Sequence, residues 1–174
     1  MREWIPVSTS PKGRLALAAV KEFGARPFGE VTVGELVAAA KVTTGALYHH
    51  FGSKLGLYAF VRADVEQRLL DRMEGAIAAS APASDRSAAV TAALLVGFDF
   101  AVREGFLRIL GEPPAGAQPD RLAQMLSAST AAASPVLSRV LAAAWRAALA
   151  AVAEGSEPQQ ARAALLALDL RIPS

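Results

Sequence analysis

The sequence contains no cysteine, which excludes disulfides, zinc–thiolate sites and thiol nucleophiles from its chemistry. Aromatic residues make up only 6% of the chain, and valine and isoleucine do not cluster as β-strands require. The first fourteen residues lack the apolar run of a signal peptide, and no stretch of about 18 residues is free of both charge and helix breakers. From these absences we expect a cytoplasmic protein without a membrane span.

What the sequence does contain is a large hydrophobic fraction, 53% of 174 residues, much of it alanine. A chain of this length can bury a sizeable core, and alanine favours closely packed helices. We therefore predict an all-α protein of about nine helices. Residues 1–52 would form a three-helix N-terminal domain, and residues 53–174 a C-terminal helical bundle.

Helix start and stop signals set the predicted boundaries. The first helix begins at Ser10-Pro11, a cap followed by proline at the first helical position, and ends at Gly24. Residues 32–35, Thr-Val-Gly-Glu, form a capping box for the second helix. The remaining predicted helices cover about 43–50, 53–79, 85–103, 105–111, 119–132, 134–154 and 157–171.

The charges are unevenly divided, although the net charge is only +2. Residues 1–54 carry seven basic and four acidic residues, whereas the other 120 carry eleven arginines and twelve acids. Every lysine lies at or before position 54. A modestly basic N-terminal part on a near-neutral chain suits DNA binding, but on its own it is weak evidence.

Residues 32–51 contain two short helices joined by a turn of three or four residues, TVGELVAAA-KVT-TGALYHHF. This pattern is typical of a helix-turn-helix, whose second helix enters the major groove while the first crosses the backbone. The second helix begins with Thr43, Thr44 and Gly45, small groups that let a helix N-terminus approach bases and phosphates. Donors one turn later come from Tyr48, His49 and His50.

The segment TVGELVAAAKVTTGALYHHFGSKLGLY resembles the DNA-binding signature of the TetR/AcrR family, in which Tyr-His-His-Phe leads through Ser-Lys into a long fourth helix. The resemblance covers roughly residues 12–60, and LLVGFDFAVREGFLRIL is more weakly similar to the family's fifth and sixth helices. It implies a transcriptional regulator, by family default a repressor, with a helix-turn-helix DNA-binding domain in residues 1–52 and an effector-binding and dimerisation domain in residues 53–174. Such a protein binds a palindromic DNA operator as a homodimer, here through about residues 134–171, and a small-molecule effector releases it. No cofactor is implied.

The resemblance also implies roles for individual residues. The small residues at the start of the second helix match positions that face base edges, and the Tyr-His pair matches groove and backbone contacts. Lys54 matches a phosphate contact, where its charge and the helix N-terminus both attract the anion. The expected DNA contacts are Thr32, Thr43, Thr44, Gly45, Tyr48, His49 and Lys54.

Two positions depart from the family's pattern. Lys41 stands where the family usually has glycine in the turn, and a left-handed backbone there would cost lysine about 1–2 kcal/mol. Ala46 replaces a commonly hydroxylated residue, which removes one possible contact. Neither departure undoes the resemblance.

Asp99 is the most unusual residue of the C-terminal part, because its predicted helix face is otherwise apolar. It could meet a cationic or hydrogen-bonding effector in a pocket, but we favour an i,i+4 pair with Arg103. The candidate pocket residues, each of which could equally belong to the core, are Phe98, Asp99, Phe106, Met125 and Trp145.

Several alternatives stay open. The aromatic run 48–51 could simply pack helices together, His50 could be partly buried, and residues 134–171 could form an ordinary intramolecular bundle. The body is short for the family, so a DNA-binding dimer regulated by a protein partner, or constitutively active, is also compatible.

No enzyme and no metal site are expected. Adjacent histidines on a helix cannot ligate one metal ion, because such ligands lie three or four residues apart. A Ser-His-Asp arrangement would need His49 or His50, which belong to the helix-turn-helix, and no glycine-rich phosphate loop is present.

Overall fold

The computed structural model describes residues 9–80, 86–114, 118–130, 135–168 and 170. Within these ranges the chain forms nine helices and no strand, so the all-α prediction is confirmed. The helices are α1 (Pro11–Ala25), α2 (Val33–Ala40), α3 (Thr44–Phe51), α4 (Lys54–Ala79), α5 (Arg86–Glu104), α6 (Leu107–Gly111), α7 (Arg121–Ser129), α8 (Pro135–Ala153) and α9 (Pro158–Leu166).

Compact packing divides the chain into two units, Met1–Glu66 and Gln67–Ser174, called here the head unit and the body unit. The division falls inside α4, so this helix begins in the head unit and ends in the body unit. The functional boundary expected at residues 52 and 53 stays a prediction.

Hydroxyl side chains fix where the helices of the head unit begin. Each of four hydroxyls accepts a hydrogen bond from the backbone N–H three residues later, at 3.0, 3.2, 3.3 and 2.9 Å. These residues are Ser10, Thr32, Thr43 and Ser53. Such caps satisfy amides that have no partner inside the helix. A few neighbouring residues in the sequence therefore determine where each of α1 to α4 begins.

The core of the head unit joins the first three helices to the beginning of α4. Aliphatic side chains from α1, α2 and α3 are completely buried, among them Leu15, Leu36 and Leu47. Phe23 and Tyr58 meet edge to face with ring centroids 5.1 Å apart, and Phe28 lies against both rings. Tyr58 belongs to α4, so the opening turns of that helix are part of the head unit.

In the body unit, α8 packs against α5, α6, α7 and α9. Trp145 of α8 is completely buried, and its indole N–H donates to the carbonyl of Leu94 on α5 at 3.0 Å. Gly97 lets α5 approach α4, because a Cβ there would lie 2.9 Å from the Met73 sulfur. These two close approaches set the spacing of the helices around the core of the body unit.

A partly buried ion pair ties α7 to α8. Both terminal nitrogens of Arg146 donate to the Asp120 carboxylate at 2.7 Å, and that carboxylate also caps α7 through the Ala123 N–H. Burial disfavours the charged carboxylate, but these hydrogen bonds outweigh it, so the pKa of Asp120 lies below its ordinary value. Removing either partner would leave a poorly solvated charge in the bundle.

By length and composition, Val136–Ala153 is the one stretch in the described helices that is apolar enough to cross a membrane. Two arginines interrupt it, Arg139 and the buried Arg146. About a third of the stretch is buried inside the body unit, where α8 is the central helix.

Four predicted helix ends differ from the structure by one residue, and two differ by more. The first helix continues through Ala25 rather than ending at Gly24, and its cap residue Arg26 is extended. The predicted ends at 132 and 171 are too late, because α7 ends at Ser129 and α9 at Leu166. Positions 131–132 and 171 themselves lie outside the described residues, as do residues 81–84 between the predicted fourth and fifth helices.

Candidate DNA-binding site

The turn between α2 and α3 is held by two backbone hydrogen bonds. The Lys41 N–H donates to Ala38 at 3.1 Å and the Val42 N–H donates to Val37 at 3.0 Å, the pattern that ends a helix with one left-handed residue. Lys41 is that residue, with φ 53° and ψ 50°. The sequence predicts a strained lysine here if the backbone is left-handed, and the backbone is left-handed.

The N-terminal end of α3 is open to solvent. Thr43, Thr44 and Gly45 are all exposed, and the first amides of a helix have no carbonyl to bond within it. A Cβ added at Gly45 would meet nothing closer than the Thr43 hydroxyl, at 3.8 Å. The fold therefore does not require glycine here, and its small size matters only to a binding partner that docks on this end of α3.

The rest of α3 has one buried face and one exposed face. Leu47 is completely buried, whereas Tyr48 is 51% exposed and both histidines are exposed. Phe51 is half-buried and lies against the Phe60 ring, with centroids 5.3 Å apart. Of the aromatic run, then, Phe51 packs the helices together, and the alternative that His50 is partly buried is wrong.

Thr32 is engaged by the capping box that the sequence predicts. Its hydroxyl accepts from the Glu35 N–H and donates to the Glu35 carboxylate at 2.7 Å, and its own N–H bonds the same carboxylate. Arg26 holds the other carboxylate oxygen at 2.8 Å and Glu22 at 2.7 Å. The hydrogen bonds from Arg26, and then from Thr32, lower the pKa of Glu35 from 4.5 to about 2.

Lys54, expected to contact a phosphate, also has a structural role inside the head unit. Its ammonium donates to the carbonyls of Phe28 at 2.9 Å and Val31 at 2.8 Å, and lies 4.1 Å from the Phe28 ring centroid. An ammonium has three donors, so one remains for a phosphate. Nothing local in the sequence links position 54 to the loop before α2, because the pairing spans more than twenty residues.

In the body unit, the candidate pocket residues separate into two groups. Phe98 and Asp99 border an open groove of about 300 Å³ between α5 and α9. Phe106, Met125 and Trp145 are not among the residues that line this groove, and all three are buried. The remaining lining residues are Val102, Arg103, Pro158, Gln159 and Arg162.

The prediction that Asp99 pairs with Arg103 is wrong. Asp99 accepts hydrogen bonds from Arg162 of α9 at 2.9, 3.2 and 3.3 Å, whereas Arg103 pairs with Glu104 at 3.1 Å. The neighbouring carboxylate raises the pKa of Arg162. Helical spacing makes Arg103 a possible partner, but the packing of α9 brings a closer one.

Comparison with known proteins identifies the fold to which this site belongs. The model of the tetR family of bacterial regulatory proteins matches residues 16–60. A TetR-family transcriptional regulator from Pectobacterium atrosepticum has a similar solved structure, with a TM-score of 0.67 and 25% identity over 91% of this chain and 90% of that one. Residues 16–60 are therefore similar to a TetR-family DNA-binding domain, and the whole chain has the fold of a TetR-family regulator. No protein of curated function matches it significantly.

These similarities support a DNA-binding transcriptional regulator with a helix-turn-helix, and TetR-family regulators are in general not enzymes. The matched residues 16–60 run through α2, α3 and the opening of α4. All seven expected DNA contacts, from Thr32 to Lys54, lie inside that segment. The contacts themselves remain predictions.

Proposed function

We propose that this protein is a TetR-family regulator that represses transcription by binding a palindromic operator as a cytoplasmic homodimer, and that a small-molecule effector releases it. The observation that carries the proposal is the open N-terminus of α3, where Thr43, Thr44 and Gly45 are exposed. Small side chains allow the free amides of a helix end to approach phosphates and base edges. Tyr48 and His49 extend the same exposed surface by one turn.

Gly45 provides the test of DNA binding, because the fold itself has room for a larger side chain there. A duplex selected from a random pool by the wild-type protein would serve as the operator. Gly45→Leu should weaken binding to this duplex at least about tenfold, equivalent to about 1.4 kcal/mol, since the side chain would hold the helix away from the bases. Binding is measured by fluorescence anisotropy at fixed salt.

Gly75 is the matched control. It is an exposed glycine of α4 with nothing within 4 Å of an added Cβ, so Gly75→Leu changes the same atoms away from α3. It should fold and bind the operator like wild type. If Gly45→Leu and Gly75→Leu bound the operator with equal affinity, α3 would not be part of the DNA interface.

An exposed apolar face on the last two helices supports the homodimer. Val136 and Val140 of α8 are 61% and 55% exposed, and Leu166 and Leu168 at the end of α9 are also exposed. Exposed alanines continue the face along both helices, and small residues let helices of two chains pack closely. Large apolar side chains that the chain's own fold leaves in water favour a partner over an ordinary intramolecular bundle.

Val140→Glu tests this interface. A charge at the centre of an apolar interface should convert the dimer into monomers at micromolar concentration, because the carboxylate would lose its water on association. Leu17→Glu, at an exposed position of α1, should leave the dimer intact. Sedimentation velocity distinguishes the two results, and a wild-type monomer would contradict the proposal outright.

The groove between α5 and α9 supports an effector site. It combines the apolar wall of Phe98 and Val102 with the charges of Asp99 and Arg162, a mixture typical of sites for small organic molecules. The second candidate function, a regulator that responds to no small molecule, is favoured by the packing of Trp145. That ring is completely buried and its N–H already has a partner.

A further inference from the structure

The left-handed lysine in the turn of the helix-turn-helix is not explained by the fold. We propose that Lys41 binds a backbone phosphate of DNA beside the N-terminus of α3, as an affinity-determining residue that adds to the contacts expected above. The proposal rests on the DNA-binding function and deepens it. Lys41 is exposed, and its φ of 53° is the only positive φ at a non-glycine position in the described part of the chain.

A lysine is an unfavourable choice for this backbone. Glycine adopts a left-handed conformation without a steric penalty and asparagine tolerates it better than most residues. The strain at Lys41 is not offset by a contact of its side chain, since no hydrogen bond or ion pair of its ammonium occurs among the described residues. Strained residues of this kind gather at functional sites, where an interaction with a ligand compensates for the strain.

Four other cations of the head unit are already engaged. The guanidinium of Arg14 bonds two backbone carbonyls, and Arg26 pairs with two glutamates. Lys54 bonds two carbonyls and Lys12 lies 5.0 Å from the centroid of an aromatic ring. On the described helix-turn-helix, Lys41 is therefore the lysine whose charge is fully available to an anion.

The position of Lys41 brings that charge to where a phosphate is expected. It lies two residues before Thr43, the cap of α3, so the two Cα atoms are at most about 7.6 Å apart. A helix N-terminus attracts phosphate through its free amides and its dipole. Lysine adds a compact charge on a long flexible stem, which suits a phosphate contact that carries no sequence information.

The salt dependence of DNA binding tests this contact. The probe is a random-sequence duplex of about 30 base pairs, long enough for two half-sites, titrated with the full-length protein at several salt concentrations. Lys41→Asn and Lys41→Gly should each reduce the slope of log K against log salt by about 0.9 for every bound head unit. Lys41→Arg should keep the wild-type slope. Both neutral variants should melt at a higher temperature than wild type, because they relieve the backbone strain.

Lys21 is the matched control. It is exposed and has no side-chain partner among the described residues, like Lys41, but it lies on α1 outside the helix-turn-helix. Lys21→Gln removes the same charge from the head unit and should leave the slope unchanged. If Lys21→Gln lowered the salt slope by the same amount, the slope would depend only on the net charge of the protein, and the proposal would be overturned.

Two further outcomes separate this proposal from the function on which it rests. A wild-type slope in Lys41→Asn, with wild-type DNA binding intact, would overturn the Lys41 contact alone. A wild-type protein that binds neither random nor selected duplexes would overturn the DNA-binding function and this contact with it. Weaker binding together with a higher melting temperature is the result expected of a strained residue that serves a ligand.

Discussion

Glu35 links the start of α2 to the end of α1 through one carboxylate. It completes the cap of α2 with Thr32 and accepts a hydrogen bond from Arg26, the residue that follows α1. These bonds favour the ionised form and lower the pKa of Glu35 from 4.5 to about 2. Because the folded-state pKa is lower than the ordinary value, ionised Glu35 contributes stability above about pH 4.5 that is lost as the pH falls through about 2.

We therefore expect Glu35→Gln to flatten the pH dependence of stability between about pH 4.5 and 2. Arg26→Met should flatten the same window, because it removes the largest cause of the lowered pKa. Urea unfolding followed by circular dichroism across this range measures the free energy of unfolding. Lys21→Met removes a charge from α1 without touching Glu35 and should keep the wild-type profile. A profile of Glu35→Gln that runs parallel to wild type would show that this carboxylate is not responsible.

The residue scale also shows what sequence reasoning can reach. Thr32 and Glu35 are three residues apart, so their mutual capping follows from local spacing and was predictable. Asp99 and its partner Arg162 are 63 residues apart, and only the packing of α9 against α5 selects that arginine over Arg103. Lys54 is similar, since its carbonyl partners are 23 and 26 residues away. Local chemistry could be predicted, and partners fixed by tertiary packing could not.

At the scale of helices, starts were predicted better than ends. The starts of α1 to α5 lie within one residue of the structure's, because Ser, Thr and Pro signals act over a single turn. The predicted ends of α7 and α9 are too late, since alanines follow α7 and both alanine and leucine follow α9, without an early glycine or proline to stop the helix. Where the composition permits a helix to continue, tertiary contacts decide where it ends.

The junction of α3 and α4 gives a prediction at this scale. A Cβ on Gly56 would lie 2.0 Å from the Phe51 carbonyl oxygen, a backbone atom that cannot move without shifting the end of α3. Gly56→Ala should therefore destabilise the protein by about 2–4 kcal/mol. Gly75→Ala is the same change in the same helix with open space around it, and should be neutral or stabilising by up to about 1 kcal/mol. Chemical denaturation compares them, and equal stability of the two variants would contradict the tight junction.

In the molecule as a whole, α4 is the covalent link between the head unit, which carries the candidate DNA-binding surface, and the body unit, which carries the candidate effector groove. It starts at Lys54 in the head unit and ends at Ala79 in the body unit. A regulator that reads two half-sites depends on the separation of its two head units. An effector acts on such a system only if it binds one arrangement of the units more tightly than another. We infer that effector binding in the body unit would reach the DNA through α4.

The response to an effector can be measured directly. A screen of small charged organic molecules should yield a compound that raises the melting temperature and weakens operator binding. For a cationic compound, Asp99→Asn should reduce both effects and leave ligand-free operator affinity within about twofold, a change of about 0.4 kcal/mol. The reason is that Asp99 lies on the groove and far in sequence from the helix-turn-helix, and an exposed ion pair contributes little to stability.

Glu104→Gln, which removes a carboxylate from the same helix outside the groove, should respond like wild type. Loss of the response in both variants would point to a general charge effect, and a screen in which no compound shifts either measurement would favour the regulator without a small-molecule ligand.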